Sequence, residues 1–260
     1  MVFAANLSFL WTELPFLERF GAAAKAGFSQ VEYMFPYEHP ASAVRAQLHA
    51  AGLEQALFNL PAGDWAAGDR GIASDPARVD EFRAGVERAL EYADALGVEQ
   101  LNCLAGRQLD GVEPAVQRAT LVDNVRHAAR RLRAAGRRLL VEPVNRFDVP
   151  GFLVPTTADA LRLMRDAGEP NVRLQFDAYH VARMEGDPAA RLAQLRDTVG
   201  HVQIADSPGR HQPGTGTIDF AAFFALLEDT GYDGAVGLEY VPTPDTAASL
   251  GWLKELSWSA

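Results

Sequence analysis

Strand and helix signals alternate eight times along this chain, and that alternation limits the fold more than any other feature. Short apolar segments at 3–9, 30–35, 54–59, 100–105, 138–143, 172–177, 201–205 and 235–240 have the length and residue types of strands. They are expected to be apolar on both faces, as parallel strands covered by helices are. Amphipathic stretches separate them at 16–26, 41–51, 75–96, 114–135, 157–167, 188–199, 219–230 and 246–256. Gly27, Gly52, Gly97, Gly136, Gly168, Gly200 and Gly231 each close a helical run, where a C-cap favours positive φ. Asp75-Pro76 and Asp187-Pro188 put a capping carboxylate ahead of proline at the first helical position, and Asp219 can cap the helix after it. Eight such units in 260 residues predict an α/β protein, a (β/α)8 TIM barrel. No linker or low-complexity segment interrupts the series, so residues 1–260 are read as one domain. A doubly wound open sheet is the alternative, but no Gly-x-Gly-x-x-Gly follows the first strand.

A chain of this size can bury a core without disulfides, and its one cysteine, Cys103, lies in an apolar strand, which predicts a buried structural thiol. No apolar run approaches the ~18 residues of a membrane span, and the N-terminus lacks the basic region of a signal peptide. The expected location is the cytoplasm. The formal charge of −10, from 34 acidic and 24 basic residues, argues against a nucleic-acid binder. The densest basic run, from Arg126 to Arg138, has the spacing of a solvated helix face. The expected partner is a small molecule; nucleic acid and membrane are not expected, and self-association into a homo-oligomer is compatible with the sequence.

Two long loops leave the C-terminal ends of strands, where barrel enzymes build their sites. They span 60–71 and 206–216. Gly214-Thr215-Gly216 is read as a tight turn in preference to a phosphate cradle. Four strands of the second half each carry one metal-type ligand: Glu142, Asp177, Gln203 and Glu239, separated by 35, 26 and 36 residues. Each gap is about one strand–helix unit. Carboxylates on apolar strands are costly to bury unless paired or bound to a metal, so the joint pattern predicts convergence at one end of the barrel.

Oxygen ligands alone suit Mg²⁺ or Mn²⁺ better than zinc. Such an ion could polarise the carbonyl of an α-hydroxycarbonyl compound, while Glu142 and Glu239, on opposite sides, move a proton between neighbouring carbons. That chemistry is aldose–ketose isomerisation through an enediol, with no organic cofactor. Asp148, His180 and Arg210 lie close to the ligands in sequence and are predicted to contact substrate; the arginine fork suits a carboxylate. Arg146 is expected in a structural ion pair, and His211 in a solvent-exposed loop.

These residues carry a family resemblance. Ala5-Asn6-Leu7-Ser8, Glu32-Tyr33-Met34-Phe35-Pro36-Tyr37, the stretch from Asn59 to Gly68, Glu142-Pro143-Val144-Asn145 and Gln203-Ile204-Ala205-Asp206 resemble the hydroxypyruvate isomerase family. The likeness continues through Pro150-Gly151-Phe152, Met184-Glu185-Gly186 and Pro213-Gly214-Thr215-Gly216, nearly the whole chain. The wider group is the xylose-isomerase-like barrels, which include the tagatose 3-epimerase type. The resemblance implies a divalent metal on Glu142, Asp177, Gln203 and Glu239, with Glu142 and Glu239 as the acid–base pair. It makes His180 a substrate contact and places a substrate-binding arginine near Arg210, in a loop one residue longer than in the epimerases. Asp148 stands where those enzymes have glutamate. Phe58 replaces a histidine of some members and is assigned no catalysis.

The implied reaction interconverts hydroxypyruvate and tartronate semialdehyde. A 2-oxo-tetronate isomerase or ketose 3-epimerase is the nearest alternative. An endonuclease IV-type barrel would need more histidine ligands and a basic face, and this chain has six histidines. A non-catalytic sugar- or metal-binding barrel would not need the paired acid and base.

Overall fold

In the computed structural model, which describes residues 1–255, eight parallel strands close into a barrel in chain order. They are β1 (Val2–Asn6), β2 (Gln30–Glu32), β3 (Glu54–Asn59), β4 (Gln100–Cys103), β5 (Arg138–Val141), β6 (Val172–Asp177), β7 (Val199–Ile204) and β8 (Ala235–Leu238). Closure comes from β1 pairing with β8, with Phe3 opposite Val236 and Ala5 opposite Leu238. The main helices of the outer ring are α1 (Phe16–Lys25), α2 (Ala41–Ala51), α3 (Val79–Leu96), α4 (Pro114–Ala134) and α5 (Thr157–Ala167). Then come α6 (Ala178–Met184), α7 (Pro188–Leu195), α8 (Phe220–Asp229), α9 (Thr246–Ser249) and α10 (Trp252–Glu255). The chain is thus a single-domain TIM barrel. No helix among the described residues is long and apolar enough to cross a membrane.

Several local expectations change. Strand residues alternate: Leu101, Phe176, Val202, Ile204, Val236 and Leu238 belong to the buried apolar core. Their neighbours Gln100, Asn102, Gln175, Asp177, His201 and Gln203 are buried polar groups. Hydrogen bonds of the latter run from strand to strand across the barrel, so the interior is polar and the strands are not apolar on both faces. α3 starts at Val79, because Asp75 accepts from the Ala77 N–H at 2.9 Å and closes a turn instead of capping a helix. Asp187 and Asp219 do cap α7 and α8. Six of the seven punctuating glycines have positive φ; Gly200 does not and lies inside β7. A Cβ there would come within 2.7 Å of the Arg173 Cβ, so close strand approach requires glycine. The helix expected over 246–256 is two short pieces, α9 and α10, with residue 256 outside the described residues. The short α6 has no counterpart in the periodicity.

The arginine run is a solvated, ion-paired face: Arg126 meets Asp123, Arg130 and Arg133 meet Glu169, and Arg131 meets Glu87. Cys103 is buried, and burial pushes its thiol up to about 12.

Candidate active site at the C-terminal mouth

Strand ends place the acidic side chains. Asp177 is the last residue of β6 and pairs in register with Gln203 of β7. Glu142 and Glu239 each follow the last residue of their strand by one. Glu32, Glu142, Gln175, Gln203 and Glu239 line one small cavity in the barrel mouth. A larger cavity, about 730 Å³, lies at the opposite mouth among the first residues of strands, Gln30, Glu54, Gln100 and Arg138. Its acidic lining residues, Glu54, Asp94 and Glu99, are exposed, unlike the buried group at the other mouth.

Glu142, Asp177 and Glu239 are all buried. Burial raises each carboxyl, Glu142 to about 8, Asp177 to about 6 and Glu239 well above its ordinary range. Neighbouring carboxylates push the same way, and Arg210 opposes them. Asn102 donates to Glu142 Oε2 at 2.8 Å. Asp177 Oδ2 and Glu239 Oε2 are buried with no hydrogen-bond partner. Orphaned, buried carboxylate oxygens of this kind could serve a metal ion as donors. Glu142, Asp177 and His180 each offer an atom within 4.8 Å of the others, close enough to share one ion.

His180 sits in the first turn of α6, which Asp177 caps by accepting from the Tyr179 N–H at 2.8 Å. Its Nε2 lies 3.6 Å from Asp177 Oδ2 and 3.8 Å from Glu142 Oε1. Burial holds it well below the usual histidine range, so the ring is neutral. Asn145 selects the tautomer. Its Oδ1 accepts from the N–H groups of Phe147 and Asp148 at 3.0 and 2.9 Å, which turns Nδ2 toward His180 Nδ1 at 2.7 Å. Nδ1 therefore accepts, and Nε2 carries the hydrogen toward the acidic pair.

Arg210 is brought in by the loop after β7. Asp206 organises that loop by accepting from four backbone N–H groups, those of Ser207, Gly214, Gly216 and Ile218. The glycine turn thus cradles the protein's own carboxylate. A Cβ on Gly216 would fall 2.1 Å from the Ser207 carbonyl oxygen. Arg210 itself has φ of 56°, unusual for a residue with a side chain. Its guanidinium lies 4.9 Å from the Phe9 ring centre and 5.1 Å from that of Tyr179. It reaches Glu239 at 3.3 Å, and Asp177 and Asp148 at 3.9 Å. Burial works against its charge, but the surrounding carboxylates raise its pKa further. Asp148 Oδ2 takes hydrogen bonds from Asn145 Nδ2 at 2.9 Å and the Tyr179 hydroxyl at 2.8 Å.

Of two expectations about bystanders, that for Arg146 fails and that for His211 holds in part. Arg146 forms no ion pair among the described residues; its Nε points to the Phe152 carbonyl at 3.5 Å. His211 is half-buried, with Nδ1 2.8 Å from the Val241 carbonyl, which ties the β7 loop to the chain after β8. Sequence reasoning also passed over Asn102, Asn145, Tyr179, Gln175 and Glu32. Asn102, Gln175 and Glu32 carry the same signature that marked the four expected ligands, a polar residue within an apolar strand.

The pattern that defines the xylose isomerase-like TIM barrel family matches residues 20–256. The chain belongs to that family. It is 47% identical to the hydroxypyruvate isomerase of Escherichia coli, over 96% of this chain and 97% of that protein. It is 44% identical to the 2-oxo-tetronate isomerase of Cupriavidus necator, over 97% of both chains. A crystal structure described as an AP endonuclease, family 2, from Brucella melitensis superposes with a TM-score of 0.94 at 41% identity, covering 98% of each chain. With curated relatives this similar over nearly their whole length, the chain is an isomerase.

Proposed function

We propose that this isomerase interconverts hydroxypyruvate and tartronate semialdehyde through an enediol. The observation that carries the reading is the pair Glu142 and Glu239, buried carboxyls from β5 and β8 that line one cavity, with Arg210 against Glu239. A divalent Mg²⁺ or Mn²⁺ held by Glu142, Asp177, Gln203 and Glu239 would supply Lewis-acid polarisation of the substrate carbonyl. Burial brings Glu142 to about 8 and raises Glu239 in the same direction, which suits both to proton exchange: one takes the proton from carbon and the other returns it to the neighbouring carbon. His180 acts as a donor to a substrate oxygen and not as a metal ligand, because coordination through Nε2 would put a hydrogen on Nδ1 against the Asn145 amide. Arg210, whose fork matches a carboxylate, takes the acid group. Asp148 supports the substrate site by holding Tyr179 and Asn145 in place.

Both curated relatives act on small hydroxy-keto acids by name, and the loop from Asp206 to Gly216 resembles the hydroxypyruvate version. A nuclease role suits this chain poorly, since its charge is −10 and its arginine run is ion-paired. We therefore read it as acting on small molecules. The test is turnover of hydroxypyruvate, 2-oxo-tetronate and neutral ketoses with Mg²⁺ or Mn²⁺, in wild type and Glu239→Gln. Hydroxypyruvate should be the preferred substrate, and the variant should lose about 10²–10⁴-fold in kcat. A near-normal kcat in the variant at saturating metal refutes the two-glutamate mechanism.

A further inference from the structure

Glu32 is a fourth buried carboxylate at this mouth that the proposed chemistry does not use. It ends β2, is fully buried, and receives three side-chain donors. Asn6 Nδ2 donates to Oε1 at 2.9 Å and Gln203 Nε2 to Oε1 at 2.7 Å, while His201 Nε2 lies 2.7 Å from Oε2. The other His201 nitrogen faces Gln100 Nε2 at 3.3 Å, so Nδ1 accepts and Nε2 donates to Glu32. β8 makes room for the group: a Cβ on Gly237 would fall 2.2 Å from Glu32 Oε1.

The polarity of this network matters at Gln203. An amide presents either oxygen or nitrogen with nearly equal shape, and only the oxygen can bind a cation. A carboxylate surrounded by donors accepts only. Glu32 therefore claims Nε2 and leaves Oε1, which receives the Gln175 amide at 2.5 Å and keeps a second lone pair. We infer that Glu32 is the positioning residue of the metal site, fixing the Gln203 amide so that its oxygen is the available ligand. This rests on the proposed role of Gln203 as a ligand. An outer-shell partner of this kind typically changes metal affinity by about 10–100-fold when removed.

The test is calorimetric titration of Mn²⁺ into metal-free wild type, Glu32→Gln, Gln203→Glu and the double variant Glu32→Gln/Gln203→Glu, with thermal unfolding of each in chelator. An amide at position 32 can donate to Gln203 and turn its nitrogen outward, so Glu32→Gln should weaken Mn²⁺ binding about 10–100-fold. Its metal-free melting temperature should fall only modestly, because the amide oxygen still accepts from part of the donor set while one donor loses its partner. Gln203→Glu alone sets two carboxylates against each other and should also lose affinity. The double variant restores a donor–acceptor pair in reverse and should recover binding to within a few-fold of wild type. Wild-type affinity in Glu32→Gln, or no recovery in a folded double variant, overturns the inference. A loss of stability with unchanged affinity does so too, since it makes Glu32 structural only. Failure of the wild type to bind Mn²⁺ would instead remove the metal-assisted reading beneath it.

Discussion

Stability of the metal-free protein should fall as pH rises from 6.5 to 8, against the usual preference of folded proteins for that range. Burial raises Glu142 from an ordinary 4.5 to about 8 and Glu239 in the same direction. Between the unfolded and folded values the native state holds a proton that the unfolded chain has released. Each such group contributes stability that is fully present below the unfolded pKa and is lost as pH climbs to the folded one. The slope is about 1.4 kcal/mol per pH unit for each group. The window avoids competing effects. Asp177 titrates at about 6 and is spent as a contributor above that. His180 and His127, held below the ordinary 6.5, favour the folded state more as pH rises, but only up to about that value. Glu142 alone then predicts a loss of at most about 1.4 kcal/mol per unit, easing to about half of that as pH reaches 8, or roughly 3–6 °C per unit in melting temperature at the steep end for a domain of this size. Glu239 adds to it. Thermal unfolding followed by circular dichroism in chelator, at half-unit steps, measures the slope. Glu142→Gln should flatten it, and saturating Mn²⁺ should reverse it, since the cation binds the deprotonated carboxylates and releases protons. A flat or rising profile in chelator, or an unchanged slope in Glu142→Gln, refutes the account of buried protonated acids.

Two substitutions probe the β7 loop. Arg210→Ala removes a charge-assisted contact worth about 1.5–3 kcal/mol and should cost roughly ten- to a hundred-fold in kcat/KM for hydroxypyruvate, with a smaller loss for a neutral ketose; equal losses on both would reject a carboxylate-binding role. Gly216→Ala drives a methyl against the Ser207 carbonyl and should destabilise by about 1–3 kcal/mol, displacing the Asp206 turn and Arg210 with it, so denaturant unfolding and kcat/KM should fall together.

Local pattern carried much of the barrel. Strand–helix alternation and glycine C-caps are short-range properties, set by burial periodicity and by the φ that a helix end requires. Glu54–Asn59 and Val172–Asp177 are strands over the residues expected. Polar residues on apolar strands pointed to Glu142, Asp177, Gln203 and Glu239 because a buried carboxylate must have a reason to be there. The same rule, applied to every strand, would have found Glu32, Asn102 and Gln175. It was masked by reading the strands as apolar on both faces, although Gln100-Leu101-Asn102-Cys103 and His201-Val202-Gln203-Ile204 alternate at the strand period of two.

The sequence by itself therefore determined the number of units, their order and which side chains face inward, since each follows from residues a few positions apart. Which inward groups meet was decided only by the tertiary structure. Glu32 reaches His201 and Gln203 from 169 and 171 residues away. Asn145 sets the ring of His180 from another strand's loop. Arg210 turns onto Glu239 through a loop held by Asp206. Those contacts depend on how β1 registers against β8 when the sheet closes and on how far each loop folds back over the mouth. Both are set by packing the whole barrel at once, and no local pattern of residues encodes them.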